Sequence, residues 1–375
     1  MKPRTPEPTG WHHVANIDEV ASPALLVYPD RVEANIRKML EIGGGPERLR
    51  PHVKTHKLPE IVRLQQSFGI QKFKCATIAE AEMVAQCGAR EVLLALQPVG
   101  PNGRRLIELI RKFPSTRFAT IGDDPANLRR LAEQARASGV TIEVLLDLDC
   151  GMHRTGIPPG SAALEVYQLI ARFPGLSPGG LHAYDGHLHQ ADPTVRRNAV
   201  HAAMGPVHLL RQMLVEAECV VPRVVAGGSP TFPIHAADRS VECSPGTCLL
   251  WDAAYEAKLP DLEFHCAALV LTRVVSKPDG DRLCLDLGHK AIASENPHPR
   301  VRLLELPEAV PVMHSEEHLV IETPRAAEFA VGDVLYGVPQ HVCPTVALHA
   351  QATVIRSGRA DAQWTIVARD RTLTI

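Results

Sequence analysis

The chain has 375 residues, 45% of them hydrophobic, with 40 Lys and Arg against 42 Asp and Glu for a formal net charge of −2. That length accommodates one large barrel and a smaller domain, and the near balance of charge excludes the broad basic field of a nucleic-acid binder. No apolar run is long enough to cross a bilayer. The stretch Met1 to Trp11 is proline-rich without the apolar core of a signal peptide, and nine scattered cysteines lack CxxC spacing; both features predict a cytoplasmic protein with reduced thiols.

From about residue 24 to 246, strand-like and helix-like segments alternate. Pro23–Tyr28 is a short apolar strand. Asp30 is placed to cap the next helix, whose apolar residues Val32, Ile36, Met39 and Leu40 fall at helical spacing before Gly43–Gly45 ends it. Eight further strands are predicted: 49–54, 73–77, 91–96, 117–121, 142–148, 179–184, 223–228 and 241–246. Most are continuous apolar runs, as in parallel strands buried on both faces. A capping box, Thr77-Ile78-Ala79-Glu80, opens one of the helices between them. Eight strand–helix repeats predict an α/β fold, a TIM-type (β/α)8 barrel over residues 30–250. After residue 250, strands separated by Gly, Pro, Asp and Asn turns (262–275, 282–287, 300–306, 318–322, 333–336, 345–355 and 363–368) predict a second, all-β domain over 251–375.

Barrels of this kind carry their chemistry where strands end, and unusual residues fall there. The first barrel strand ends in Arg50-Pro51-His52-Val53-Lys54-Thr55-His56-Lys57. Burial and positive neighbours lower a lysine's pKa, and a neutral amine attacks an aldehyde. After the fifth strand comes Asp149-Cys150-Gly151-Met152-His153-Arg154-Thr155-Gly156. The sixth ends in Gly180-Leu181-His182-Ala183-Tyr184-Asp185-Gly186-His187-Leu188-His189, where alternation puts His182 and Tyr184 on one side and leaves His187 and His189 in the loop. Ala226-Gly227-Gly228-Ser229-Pro230-Thr231 and Cys243-Ser244-Pro245-Gly246-Thr247 follow the seventh and eighth strands, where glycines let backbone amides form an anion nest. In the β domain, Gln340-His341-Val342-Cys343-Pro344-Thr345-Val346 reads as extended chain. There His341 and Cys343 share a face, and their imidazole and thiolate suit Zn²⁺ with room for water and substrate.

Together these segments, in this order from Pro23 to Arg369, resemble the D-threonine aldolase and D-serine dehydratase family. These are metal-activated pyridoxal phosphate (PLP) enzymes of the alanine racemase fold. The resemblance implies Lys54 as the Schiff-base residue, with His52, Tyr184 and Arg154 beside the cofactor and Arg154 on its phenolic oxygen. It further implies Gly227, Gly228, Ser229, Ser244, Gly246 and Thr247 around the phosphate, and His187 or His189 as the base. His341 and Cys343 would hold a divalent metal, zinc or manganese. It implies that strand 23–28 joins the β domain, and that a homodimer acts on a small amino-acid substrate. Asp286-Leu287-Gly288-His289-Lys290 and Ser315-Glu316-Glu317-His318 match the family more weakly and are read as supporting the site or a subunit contact.

The expected reaction is cleavage of a D-β-hydroxy-α-amino acid to glycine and an aldehyde. Its alternative is dehydration of D-serine or 3-hydroxyaspartate to a 2-oxo acid and ammonia, with Lys54 removing the α-proton. Two other classes are a metal-only hydrolase, suggested by His187-x-His189, and a non-catalytic PLP-binding protein. The strand-one lysine argues against the first, and the β domain with its metal loop argues against the second.

Overall fold

The structure, a computed structural model, describes residues 10–374, so most of the proline-rich stretch read as lacking a signal core lies outside the described residues. The chain forms two compact units. One holds Ile36–Cys248, Lys258–Glu263 and the described residues from Asp370. The other holds the described residues up to Asn35, Leu249–Ala257 and Phe264–Arg369. No helix among the described residues is long and apolar enough to cross a membrane.

Strand β1 is Ala24–Val27. Seven parallel strands follow: β2 (Lys72–Cys75), β3 (Glu91–Leu94), β4 (Arg117–Gly122), β5 (Ile142–Leu148), β6 (Leu176–Ala183), β7 (Val224–Ala226) and β8 (Val241–Cys243). They pair in sequence order, β2 to β8, in one sheet. The remaining member of the ring is irregular. Leu49 bridges Cys243 and His52 bridges Lys74, both in parallel, so residues 49–52 join the two edges of the sheet. Lys74 N donates to Pro51 O at 2.9 Å, while Pro51 has no amide to give in return. The predicted strand 49–54 is therefore extended only to His52. The chain then enters a single 3-10 turn, Val53–Thr55, that carries Lys54.

The other predicted elements differ mostly at their ends. The first long helix is Pro29–Gly43, so Asp30 sits inside its first turn and does not cap it. Thr77 does cap Ile78–Gln86, its hydroxyl accepting from Glu80 N at 3.1 Å. The reciprocal half of the box is diverted: Glu80 Oε2 accepts from Ala76 N at 2.6 Å, and its other oxygen pairs with Lys57. In β6 the register slips one residue at Gly179. Gly180 has φ +108°, and a Cβ there would lie 2.0 Å from Arg223 O, so only glycine fits.

A layer of charge crosses the sheet near the starts of its strands. Arg50, 1% exposed, spans Glu91 Oε2 on β3 (2.7 Å) and Glu242 Oε2 on β8 (2.9 Å). Lys72 adds a contact to Glu242 at 2.7 Å and Arg117 one to Glu91 at 2.5 Å.

The second unit is built on β9 (Ala268–Ser276), β10 (Arg282–Leu285), β11 (Val301–Leu303), β12 (Val310–His314), β13 (Leu319–Glu322), β14 (Val334–Pro339), β15 (Gln351–Arg356) and β16 (Arg359–Thr365). The sheet runs β12-β13-β10-β9-β1-β15-β16, with β14 joining β9 to β11. Strand β1 thus sits between β9 and β15 in this unit, as the resemblance implied. Val270, Val274, Leu283, Leu285, Ile321 and Leu335 belong to its buried core. Strand β12 was not predicted: Pro311 masks it, and it is tolerated because β12 is an edge strand.

The stretch expected to run as a strand from 345 begins instead as a helix, Val342–Leu348. Pro344 falls in its first turn, where a missing amide costs nothing. Asp252 Oδ2 accepts Val342 N at 3.2 Å, and Thr345 Oγ1 donates to His341 O at 2.8 Å. His341 is the extended residue before the helix and Cys343 lies inside it, so the pair does not share one face of a strand.

Candidate active site

Lys54 is positioned by a local device. His52 Nδ1 accepts from Lys54 N at 3.3 Å and so caps the short turn. His52 is 7% exposed, and burial, followed by the charges of Lys54 and Lys74, pushes its pKa well below the usual histidine range. It therefore stays neutral and able to accept.

Tyr184 is the hub of the pocket. Lys54 Nζ lies 5.7 Å from its ring centroid, Lys74 Nζ 5.4 Å and the Arg154 guanidinium carbon 5.0 Å. Three cations around one ring make a strongly electropositive site. Arg154 reaches it from a loop folded on Asp149, whose Oδ1 accepts the amides of Gly151 (3.0 Å) and His153 (2.9 Å). Behind Tyr184, Asp185 is buried and accepts from Thr231 Oγ1 at 2.9 Å, with His235 Nε2 at 2.7 Å from its other oxygen.

The loops after β7 and β8 are tied together by one hydroxyl. Ser229 Oγ accepts from Gly246 N at 3.2 Å and Cys248 N at 3.3 Å. Gly227 has φ +80°, and Gly228 N donates to Thr231 Oγ1 at 3.3 Å. At Gly246 a Cβ would come 3.0 Å from His52 Cβ and O. Thr247 opens the short turn Thr247–Leu249. Ser244 Oγ is buried and finds no hydrogen-bond partner among the described residues. An orphaned buried hydroxyl two residues from Gly246 suits an anionic group such as a phosphate.

The two loop histidines separate. His189 is exposed and its Nδ1 lies 3.0 Å from Lys258 Nζ. Partial burial, then Lys258, lowers its pKa. His187 is half-buried, and its Nδ1 has no partner among the described residues. Its ring lies against Gly151, where a Cβ would come 2.9 Å from Nε2.

In the β unit, His341 Nδ1 lies 2.5 Å from Glu295 Oε1. Burial works to lower its pKa, but the Cys343 sulfur, Glu295 and Asp252 outweigh that and raise it to about 9. A carboxylate on one ring nitrogen is the usual orienting partner of a metal-binding imidazole. Among the described residues no three His, Cys, Asp or Glu side chains gather to hold an ion.

The sequence reading missed Lys74, Asp147, Asp185 and His235. Lys74 and Asp147 each interrupt an apolar strand, in Phe73-Lys74-Cys75 and Leu146-Asp147-Leu148, and an ionisable residue inside a buried parallel strand needs a partner. That signal was present. The convergence of the two through His182, on a third strand, was not.

Comparison with known proteins follows the same lines. The model of the alanine racemase N-terminal domain matches residues 27–253, and the serine dehydratase domain model matches 267–355. The chain is 29% identical to a D-threonine aldolase of an Arthrobacter species, covering 93% of each chain. It is also 29% identical to a 3-hydroxy-D-aspartate aldolase of Paracoccus denitrificans (strain Pd 1222), covering 94% of this chain and 93% of the other. The crystal structure of D-threonine aldolase from Filomicrobium marinum superimposes with a TM-score of 0.88 at 27% identity, over 95% of this chain and 97% of that one. A model matched across more than half the chain, from the end of β1 through β8, settles the family: this protein belongs to the alanine racemase N-terminal domain family.

Proposed function

We propose that the protein is a PLP- and divalent-metal-dependent lyase that cleaves D-β-hydroxy-α-amino acids between Cα and Cβ, giving glycine and an aldehyde. The observation that carries this reading is similarity to two aldolases over 93% or more of each chain. A homodimer in the cytoplasm belongs to the reading on the family resemblance alone.

The pocket's residues fit PLP. Ser244 Oγ lacks a partner among the described residues, and Arg154 brings a permanent charge to the Tyr184 hub. When bound, PLP withdraws electrons from Cα, and zinc or manganese on His341 and Cys343 lowers the pKa of the substrate's β-hydroxyl. Lys54 supplies the amine that holds the cofactor. Ser244, with Gly227, Gly228, Ser229, Gly246 and Thr247, cradles the phosphate, and Arg154 compensates the charge on the phenolic oxygen. His187 takes the proton of the β-hydroxyl, having an uncommitted ring nitrogen where His189 is already engaged with Lys258.

The cysteine at position 343 favours a second reading. A thiolate in the metal set is the feature that resembles the dehydratase branch, in which the β-hydroxyl leaves and a 2-oxo acid and ammonia form.

With PLP and Mn²⁺ or Zn²⁺ added, aldehyde is expected from D-threonine and not from L-threonine, to stop with a chelator and to return with metal. Release from the L-enantiomer, or indifference to the chelator, contradicts the reading. Ser244→Ala should weaken PLP binding about tenfold or more, the scale of one lost hydrogen bond to a charged group. The apo protein should be no less stable, because the deleted hydroxyl has no protein partner. Fluorescence titration of the apo protein measures this, and unchanged affinity removes Ser244 from the phosphate site.

A further inference from the structure

The pocket contains a second amine to which the cleavage just described gives no part. Lys74 is 2% exposed, and its Nζ is no farther from Tyr184 than that of Lys54. Its hydrogen-bond partner among the described residues is His182 Nε2, at 3.4 Å. A buried lysine with a purely structural role would be expected to rest directly on a carboxylate. The two nearby carboxylates are engaged otherwise: Asp147 Oδ1 lies 2.7 Å from His182 Nδ1, and Asp185 holds Thr231 and His235.

Asp147 is held ionised. Burial opposes this, but the hydrogen bond and charge of His182, with a hydroxyl contact from Thr155, outweigh it. An ionised Asp147 on Nδ1 fixes the tautomer, so the Nε2 lone pair faces Lys74. Lys74, His182 and Asp147 therefore form a continuous hydrogen-bonded chain that rests the buried amine on an imidazole acceptor. The groups acting on Lys74 come from every side: Lys54 and Arg50 from the irregular barrel segment and its turn, Asp147 from β5, His182 from β6 and Asp185 just beyond it. Burial, then Lys54, brings the Lys74 pKa down to about 7, with the two carboxylates opposing, so the amine exchanges protons near neutral pH.

We infer that Lys74 donates the proton that Cα gains in the proposed cleavage, and that His182, its tautomer fixed by Asp147, holds the ammonium in place. The inference rests on the lyase reading. In the balanced reaction, a base takes the β-hydroxyl proton as the C–O bond becomes C=O and the Cα–Cβ bond breaks. Cα then needs one proton to become the methylene of glycine. The Lys74 ammonium supplies it, its N–H bond breaking as the C–H bond forms, and the neutral amine takes up a proton from solvent once glycine has left. The hydroxyl proton returns to solvent, so no net proton is consumed.

Two measurements test this, one of them without cofactor. In apo protein carrying ¹³Cε-lysine, the Lys74 resonance, assigned by its loss in Lys74→Arg, is expected to titrate near neutral pH and to move in His182→Gln. Titration alongside the surface lysines overturns the inference. In holoenzyme given glycine in D₂O, the parent is expected to exchange an α-proton for deuterium, and Lys74→Met to do so about 100-fold more slowly or worse, with PLP affinity and visible absorption retained. A parent that cleaves D-threonine and exchanges glycine, with Lys74→Met unimpaired, overturns this inference alone. A parent that does neither overturns the lyase reading and the inference together.

Discussion

Lys54→Ala is expected to reduce lyase activity by about 10⁴-fold or more, the scale of removing a covalent nucleophile, while leaving the fold intact. The side chain of Lys54 is half-buried in a single turn, and what fixes that turn is the backbone contact to His52, which alanine keeps. Two amines near one ring make the assignment testable beyond activity. Borohydride treatment of the PLP-loaded parent should fix the cofactor to the peptide carrying Lys54, and peptide mass spectrometry reads which lysine is labelled. Lys54→Ala should then show no covalent label, and Lys74→Met should keep it. A label on the Lys74 peptide would exchange the roles of the two lysines.

Arg50→Met should be the most damaging change remote from the chemistry. It leaves the buried Glu91 and the half-buried Glu242 only partly compensated, for which a cost of about 3–5 kcal/mol is expected. For a domain of this size that lowers Tm by on the order of 10 °C, readable by calorimetry. Adding Glu91→Gln should recover part of the loss, because the neutral amide removes one uncompensated charge; an additive double variant contradicts the account. The same layer sets acid behaviour. Burial pushes the Glu91 carboxyl up, but Arg50 and Arg117 outweigh burial and hold it at about 2 against an ordinary 4.5. A carboxyl depressed on folding stabilises the protein above its unfolded pKa. That contribution is full above pH 4.5 and is lost as pH falls toward 2. In Arg50→Met, acid unfolding should begin at higher pH.

Much of this architecture could be read in the chain. The parallel strands announce themselves as apolar runs because both faces are buried, and β5 emerged with the predicted ends. The segment around Lys54 was recognisable by composition but not by conformation, since Pro51 and a side-chain cap turn the strand end into a 3-10 turn. The segment read as a metal loop departed from its expected conformation in the same way. His341-x-Cys343 has the spacing of a shared strand face, yet Asp252, 89 residues earlier than His341, accepts Val342 N and helps start a helix. Long-range partners also decide the chemistry of Lys74, whose character comes from His182 and Asp147 on two other strands. Local pattern names the residue types at strand ends; it does not name the partners that the barrel brings to them.

The most direct test of the central claim is product analysis on purified protein loaded with PLP and Mn²⁺ or Zn²⁺ and given D-threonine, with a chelator control. Glycine and acetaldehyde in equal amounts, lost with the chelator, are the predicted result. 2-Oxobutanoate and ammonia in their place would contradict cleavage at Cα–Cβ and make the protein a dehydratase, with Cys343 the residue to replace next.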